Sequence, residues 1–203
     1  MEKYHFENIL LVNIQRDFLK NKLVLDTVIN NTKNAIQSGL QILNHTGTKA
    51  KPSNEDELNK MINGVCILLP YYPQNGFLDD LVNSGKLGIF KNVELRNLLS
   101  SWYSTLNIHN INFQSANADE VAIEKFVIKN GSWLNADDVL TFERKIEFPS
   151  SGFEIDNRDL LGVLEFENLI ENQIISLDNY LTSQINTMAL LEEIIETLEG
   201  EIK

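Results

Sequence analysis

The segment from Asp159 to Leu198 limits the fold most. It contains no proline, and its apolar residues fall into two heptad rows. One row is Ile174, Leu181, Met188 and Ile195; the other is Ile170, Leu177, Gln184, Leu191 and Leu198. A repeat of this length predicts a long helix that packs by one face against other helices. Residues 5–45 carry a related pattern, with Leu11, Ile14, Phe18, Leu25, Val28, Ile29, Ala35, Ile36, Ile42 and Leu43 at three-four spacing. Gly39 is a weak point there, costing about 1 kcal/mol against Ala. Gly47 and Pro52 mark the end. Residues 93–130 form the third such stretch, with Asn92 as its cap and Glu94 in the first turn. Its seam is Leu95, Leu99, Trp102, Leu106, His109, Phe113, Ala116, Glu120, Ile123 and Val127. Asn107–Asn112 is poor in helix formers and predicts a kink.

Between the first two long stretches lies a broken helix. Ser53 opens residues 53–69 as a capping residue with acids in the first turn, and Pro70 closes them. A turn over 71–76 leads to a short helix over 77–84, stopped by Gly85, with Lys86 at its negative end. Residues 131–157 read as a crossover, with a short helix near Asp137–Phe142 and a partly alternating TFERKIEF segment over 141–148. The expected fold is all-α: an elongated up-down helical bundle of three long helices plus one broken shorter helix, in a single domain spanning 1–203. A long-helix coiled-coil dimer is the structural rival.

Charge removes one function class. Residues 151–203 hold 12 acids and 2 bases, and the whole chain carries −12. Phosphate contacts need Lys and Arg, so bulk nucleic-acid binding is excluded. The acids from Glu165 to Glu199 read as the solvated face of the last helix. No run of 18 apolar residues occurs, and Ile9–Val12 is too short for a signal peptide. One cysteine, Cys66, leaves no intrachain disulfide and no cysteine-based zinc site. Its apolar neighbours mark it as a small buried hydrophobe. The sequons at Asn30, Asn44 and Asn130 are no more frequent than chance gives.

Motifs for catalysis are missing. There is no zincin motif, P-loop or dinucleotide fingerprint, and Ser84-Gly85-Lys86 lacks the upstream glycine of a phosphate loop. His5, His45 and His109 are far apart and lack metal-ligand spacing. No catalytic residue, metal ligand or cofactor is expected. Asp79-Asp80 and Asp137-Asp138 are neighbours whose side chains diverge on a helix, which makes them poor acid/base dyads. Two groups stand out. His109 lies on an apolar seam, as do Thr32 and Gln184 on theirs, and the three are expected to form a polar core layer that fixes register. Lys86, Arg96, Trp102 and Tyr103 are candidates for a ligand or interaction site, with Trp102 as core or pocket wall.

The segment from Asn75-Gly76-Phe77-Leu78 through SGKLGIFKNVELR to Leu95-Arg96-Asn97-Leu98-Leu99-Ser100-Ser101-Trp102-Tyr103 resembles a bacterial domain-of-unknown-function family of membrane-anchored helical proteins. In that family the turn reads SSGKLxLIxNxELR. A basic N-terminus and one transmembrane helix precede a long helix, and two more long helices follow. The first and last helices here are similar in spacing. The resemblance implies no enzymatic activity and offers no catalytic residues. It implies a helical domain on the periplasmic, extracytoplasmic side of a cell membrane, held by an anchor that has no counterpart in these residues. The leading expectation is therefore a noncatalytic extracytoplasmic bundle used for protein interaction or sensing. Its partner would be another protein or a second copy, with no nucleic acid, and with the membrane only through that anchor. The alternatives are a soluble, cytoplasmic coiled-coil scaffold that homodimerises and a small-ligand sensor.

Overall fold

The computed structural model describes residues 2–137, 148–149 and 151–202, with side chains from residue 7 onward. Among the described residues the chain is all-helical, with no strand. The α-helices are α1 (Glu2–Leu43), α2 (Glu55–Val65), α3 (Gly76–Asn83), α4 (Val93–Asn130), α5 (Trp133–Asp137) and α6 (Leu164–Glu201). Short 3-10 helices occupy Leu87–Ile89 and Asn157–Gly162. The expected short helix near Asp137–Phe142 and the alternating segment over 141–148 fall mostly on residues 138–147, outside the described residues.

Helix ends follow local chemistry. Asn54, not Ser53, caps α2: its Oδ1 accepts the Glu57 N–H at 3.0 Å, while the Ser53 N–H and hydroxyl donate to the Glu57 carboxylate. The helix stops at Val65, four residues before the expected end, and Cys66–Leu69 lead into Pro70, which disfavours helix in the residue before it. Asn92 caps α4 by accepting the Leu95 N–H at 3.1 Å. The α4 helix runs unbroken through Asn107–Asn112. The last helix starts at Leu164, because Asp156 caps the preceding 3-10 turn by accepting the Arg158 N–H.

The chain divides into two compact units, and α1, α4 and α6 each contribute to both. The first unit comprises Met1–Ile29, Pro70–Ile111 and Thr182–Lys203. Its core includes Ile14, Phe18, Leu78, Leu95, Leu99, Trp102, Leu191 and Leu198. Asn92 bonds Glu201 and His109 bonds Thr187, so α4 and α6 are antiparallel in this unit. Lys91 reaches Glu7 and Trp102 packs on Phe18, so α1 and α4 run the same way. The second unit comprises Asn30–Leu69 and Asn112–Leu181. Here Phe113–Tyr180, Asp119–Ser176 and Phe126–Phe166 again set α4 antiparallel to α6. Gly39 has a use that helix propensity alone hides: a Cβ there would lie 2.7 Å from Ile174 Cγ1, so α1 and α6 need glycine at their closest approach.

The buried face of α6 differs from the expected one. Ile170, Leu177, Gln184, Leu191 and Leu198 are fully buried as expected. The companion row is Gln173, Tyr180, Thr187 and Ile194, each 0% exposed, whereas Ile174, Leu181 and Met188 are only half-buried. Three of these four residues carry polar atoms, so a hydrophobic count passes over them. Tyr180 donates to the Leu69 carbonyl at 3.1 Å and Thr187 donates to the Ser183 carbonyl at 2.8 Å, which makes the burial of their hydroxyls tolerable.

Asn157 and Glu55 tie together the described ends of the crossover in the second unit. Asn157 is 0% exposed. Its Oδ1 accepts the Ser132 N–H at 2.7 Å, and its Nδ2 donates to Asn59 Oδ1 at 2.8 Å and to the Ser132 carbonyl at 2.9 Å. Glu55 Oε1 accepts the Asn157 N–H and the Asn135 amide. These bonds tie α2, α5 and the second 3-10 turn together.

Candidate functional site

The four residues singled out around the SGK turn belong to the first unit, and each is engaged. Gly85 adopts φ 67°. Its N–H donates to the Val82 carbonyl at 3.0 Å, and the Lys86 N–H donates to the Leu81 carbonyl at 2.9 Å. This is a Schellman closure of α3, so Lys86 acts through its backbone while its residue stays exposed. Arg96 Nη1 donates to the Phe90 carbonyl at 3.3 Å. Trp102 is fully buried, 4.9 Å from Phe18 between ring centroids, and its Nε1 donates to Asn75 Oδ1 at 3.0 Å. The Tyr103 hydroxyl donates to Asp79 Oδ1 at 2.6 Å, and burial together with that carboxylate pushes its acidity well down.

These contacts pin the 74–79 segment beside a cleft that the sequence did not point to. The cleft has a volume of about 560 Å³ and is lined by Asp17 of α1, by Gln74, and by Gly76, Phe77 and Asp80 of α3. Asn21, one turn after Asp17, clamps the loop twice: it donates to the Gln74 carbonyl at 2.9 Å and accepts the Gln74 N–H at 2.6 Å. The Arg16 guanidinium sits 5.7 Å from the centroid of the Phe77 ring. Asp17 is 9% exposed, and no hydrogen bond or ion pair reaches its side chain from the described residues. The available signal was a polar i, i+4 pair, Asp17 and Asn21, interrupting the apolar stripe of α1.

The residues expected to form a polar layer are all buried: Thr32 0%, His109 3% and Gln184 0% exposed. His109 and Gln184 belong to the first unit and Thr32 to the second. His109 Nδ1 lies 3.3 Å from Thr187 Oγ1, within hydrogen-bond reach. The Tyr71 ring packs on His109 at 5.3 Å, and burial depresses the imidazole to about 4. Thr187, one turn from Gln184, was the partner that sequence spacing could have suggested.

In the second unit, burial and the neighbouring Glu124 raise Glu120 to about 7. Burial, followed by Glu120 and Glu124, pushes the Cys66 thiol far up, so it is a poor nucleophile. The two buried titrations oppose each other. Glu120 binds its proton more tightly when folded, so its contribution is present below about 4.5 and is lost as pH rises through about 7. His109 binds its proton less tightly when folded, so its contribution is present above about 6.5 and is lost as pH falls through about 4. Glu120→Gln is therefore expected to stabilise the chain at pH 8 by about 1 kcal/mol, after allowance for partial solvent screening. Urea titrations should show that gain fading to nothing at pH 4; an equal gain at both pH values would refute the assignment.

Among the described residues no group of three His, Cys, Asp or Glu could hold a metal ion. The His45 Nδ1 is occupied by the Ala50 carbonyl at 2.6 Å. No described helix is long and apolar enough to cross a membrane. The acidic face of α6 includes Glu192, which pairs with Lys22 at 2.7 Å on the surface, a contact worth little. No protein-family model, curated protein or solved structure matches this chain.

Proposed function

We propose that the chain is a noncatalytic helical sensing or interaction domain whose ligand site is the α1–α3 cleft of the first unit. The carrying observation is a cleft of about 560 Å³ that holds a nearly buried carboxylate, Asp17, without a protein partner among the described residues. The residues around it are fixed before any ligand arrives: Asn21, Trp102 and Tyr103 hold Gln74, Asn75 and Asp79. Preorganisation of this kind lowers the ordering cost of binding. We further propose that the three long helices, with α2 and α3 as the return path, make an elongated up-down bundle. The helix directions found within each unit support that reading, as does the antiparallel pairing of α3 with α1 through Asn21–Gln74 and Arg16–Phe77. The extracytoplasmic, membrane-anchored placement is proposed on the resemblance of the 75–103 segment; about 20 apolar residues encoded ahead of Met1 would support it, and their absence would overturn it.

The ligand-site reading is tested by two-dimensional amide NMR of the full chain, titrated with cationic, anionic and neutral aromatic fragments. At least one class should shift the amides of residues 17 and 74–80. Gly76→Trp should weaken that response, since Gly76 lines the cleft and a Cβ there meets nothing within 4 Å, which leaves room for an indole beside the ligand. No response from any class, or responses confined to other residues, would overturn the proposal.

A further inference from the structure

We infer that the cleft takes a small organic cation: a free amine with an apolar body, its ammonium held by Asp17 and Asp80 and its body laid against Phe77. The inference rests on the cleft being a ligand site and names what that site selects.

Three observations carry it. The first is Asp17. The residue is 9% exposed, it lines the cleft, and no described residue bonds its carboxylate. Its polar neighbours are not in that position. Asn21 makes two bonds to Gln74, and Asp79 accepts the Tyr103 hydroxyl. Asn21 and Asp79 are thus bonded within the protein, whereas no described residue bonds the Asp17 side chain.

The second is the company Asp17 keeps. Asp80 lines the same cleft, and no described residue bonds its side chain either. Phe77 supplies an aromatic ring between α1 and α3. That ring already attracts a cation, the Arg16 guanidinium at 5.7 Å. Carboxylates combined with an aromatic face are the chemistry that recognises ammonium groups. The lining itself holds two carboxylates and no Lys, Arg or His, with Arg16 as the cation at its rim.

The third is size. The cleft is broadly open to solvent, and its volume of about 560 Å³ is far more than a bare ion fills. A metal ion is further disfavoured because no third acidic, His or Cys ligand joins Asp17 and Asp80 among the described residues. The net charge of −12 would also draw a cation toward the protein at low salt.

The test uses the full chain and three probes of one shape: phenethylamine, 2-phenylethanol and 3-phenylpropionate. Amide shifts at residues 74–80 and calorimetric binding are expected for the amine alone, weakening as salt is raised. Asp17→Asn should weaken the amine at least about tenfold, as removing a charge-assisted bond does. Asp80→Asn, at an exposed position, gives the same readout should Asp17→Asn fold poorly. Arg16→Ala should bind the amine as tightly or more tightly, because a competing cation leaves the rim. Binding of the alcohol or the acid at least as tight as the amine would overturn the inference and leave the ligand-site reading standing. So would an affinity unchanged in both Asp variants, or one lost in Arg16→Ala. Silence from every fragment class would overturn both.

Discussion

Trp102→Ala is expected to lower the free energy of unfolding by about 4 kcal/mol, the range for emptying a buried Trp or Phe site. The side chain is 0% exposed and packs against Phe18 in the first unit. Its truncation leaves a cavity in a core built from α1, α3, α4 and α6 and also frees Asn75 Oδ1. Trp102→Phe separates the two effects. It keeps most of the contact with Phe18 and loses the bond to Asn75, so about 1–2 kcal/mol is expected. Guanidinium titrations followed by circular dichroism measure both. A loss under about 1 kcal/mol for the Ala variant would mean that this core collapses around the gap.

The second large effect belongs to Asn157. Asn157→Ala should cost about 3 kcal/mol, because it takes the partners of the Ser132 N–H and of Asn59 Oδ1 away inside the protein and leaves the Ser132 carbonyl with only the Ala136 N–H. Asn157→Leu keeps the bulk and should rescue little, since the stranded groups stay buried. A Leu variant as stable as the parent would show that volume, not hydrogen bonding, sets the value of this position. Gly131 belongs to the same arrangement: a Cβ there would lie 2.5 Å from Asn157 Oδ1.

These two positions also mark how far the sequence could be read. Trp102 sits on a seam of period close to 3.6, and its burial is legible because Leu95, Leu99, His109 and Ala116 on that seam are buried with it. The same holds for α1 and α4 as elements, for the Asn92 cap and for the stop at Gly85. Asn157 obeys no period. Its partners lie 25 and 98 residues away and are polar, so neither hydropathy nor local propensity registers them. The inner row of α6 was missed for a related reason. Gln173, Tyr180 and Thr187 are buried with polar atoms, and a count of apolar residues moves the seam one residue, onto Ile174, Leu181 and Met188.

The site was half legible. Trp102 and Tyr103 announce themselves by residue type, and they turn out to fasten the segment beside the cleft through Asn75 and Asp79. The carboxylate that gives the cleft its character stands on α1, nearly sixty residues before Asn75. A lone Asp next to Phe18 reads as solvated until the folded chain shows it to be 9% exposed. Lys86 and Arg96 were candidates for the same ligand or interaction site. The turn uses the first through its main chain, and the second reaches the Phe90 carbonyl.

The closure of α3 at Gly85 bears on ancestry as well as geometry. Its instruction to the chain consists of one left-handed residue and two main-chain bonds, from Gly85 to Val82 and from Lys86 to Leu81. So short a message arises readily in unrelated lineages, because most of its letters concern where a helix ends and few concern what the protein binds. Descent is better traced through features that are hard to reinvent, such as a buried Asn with partners in distant segments or a glycine wedged between two helices. In this chain those are Asn157 and Gly39, and a true relative would keep them even after its turn had drifted beyond recognition.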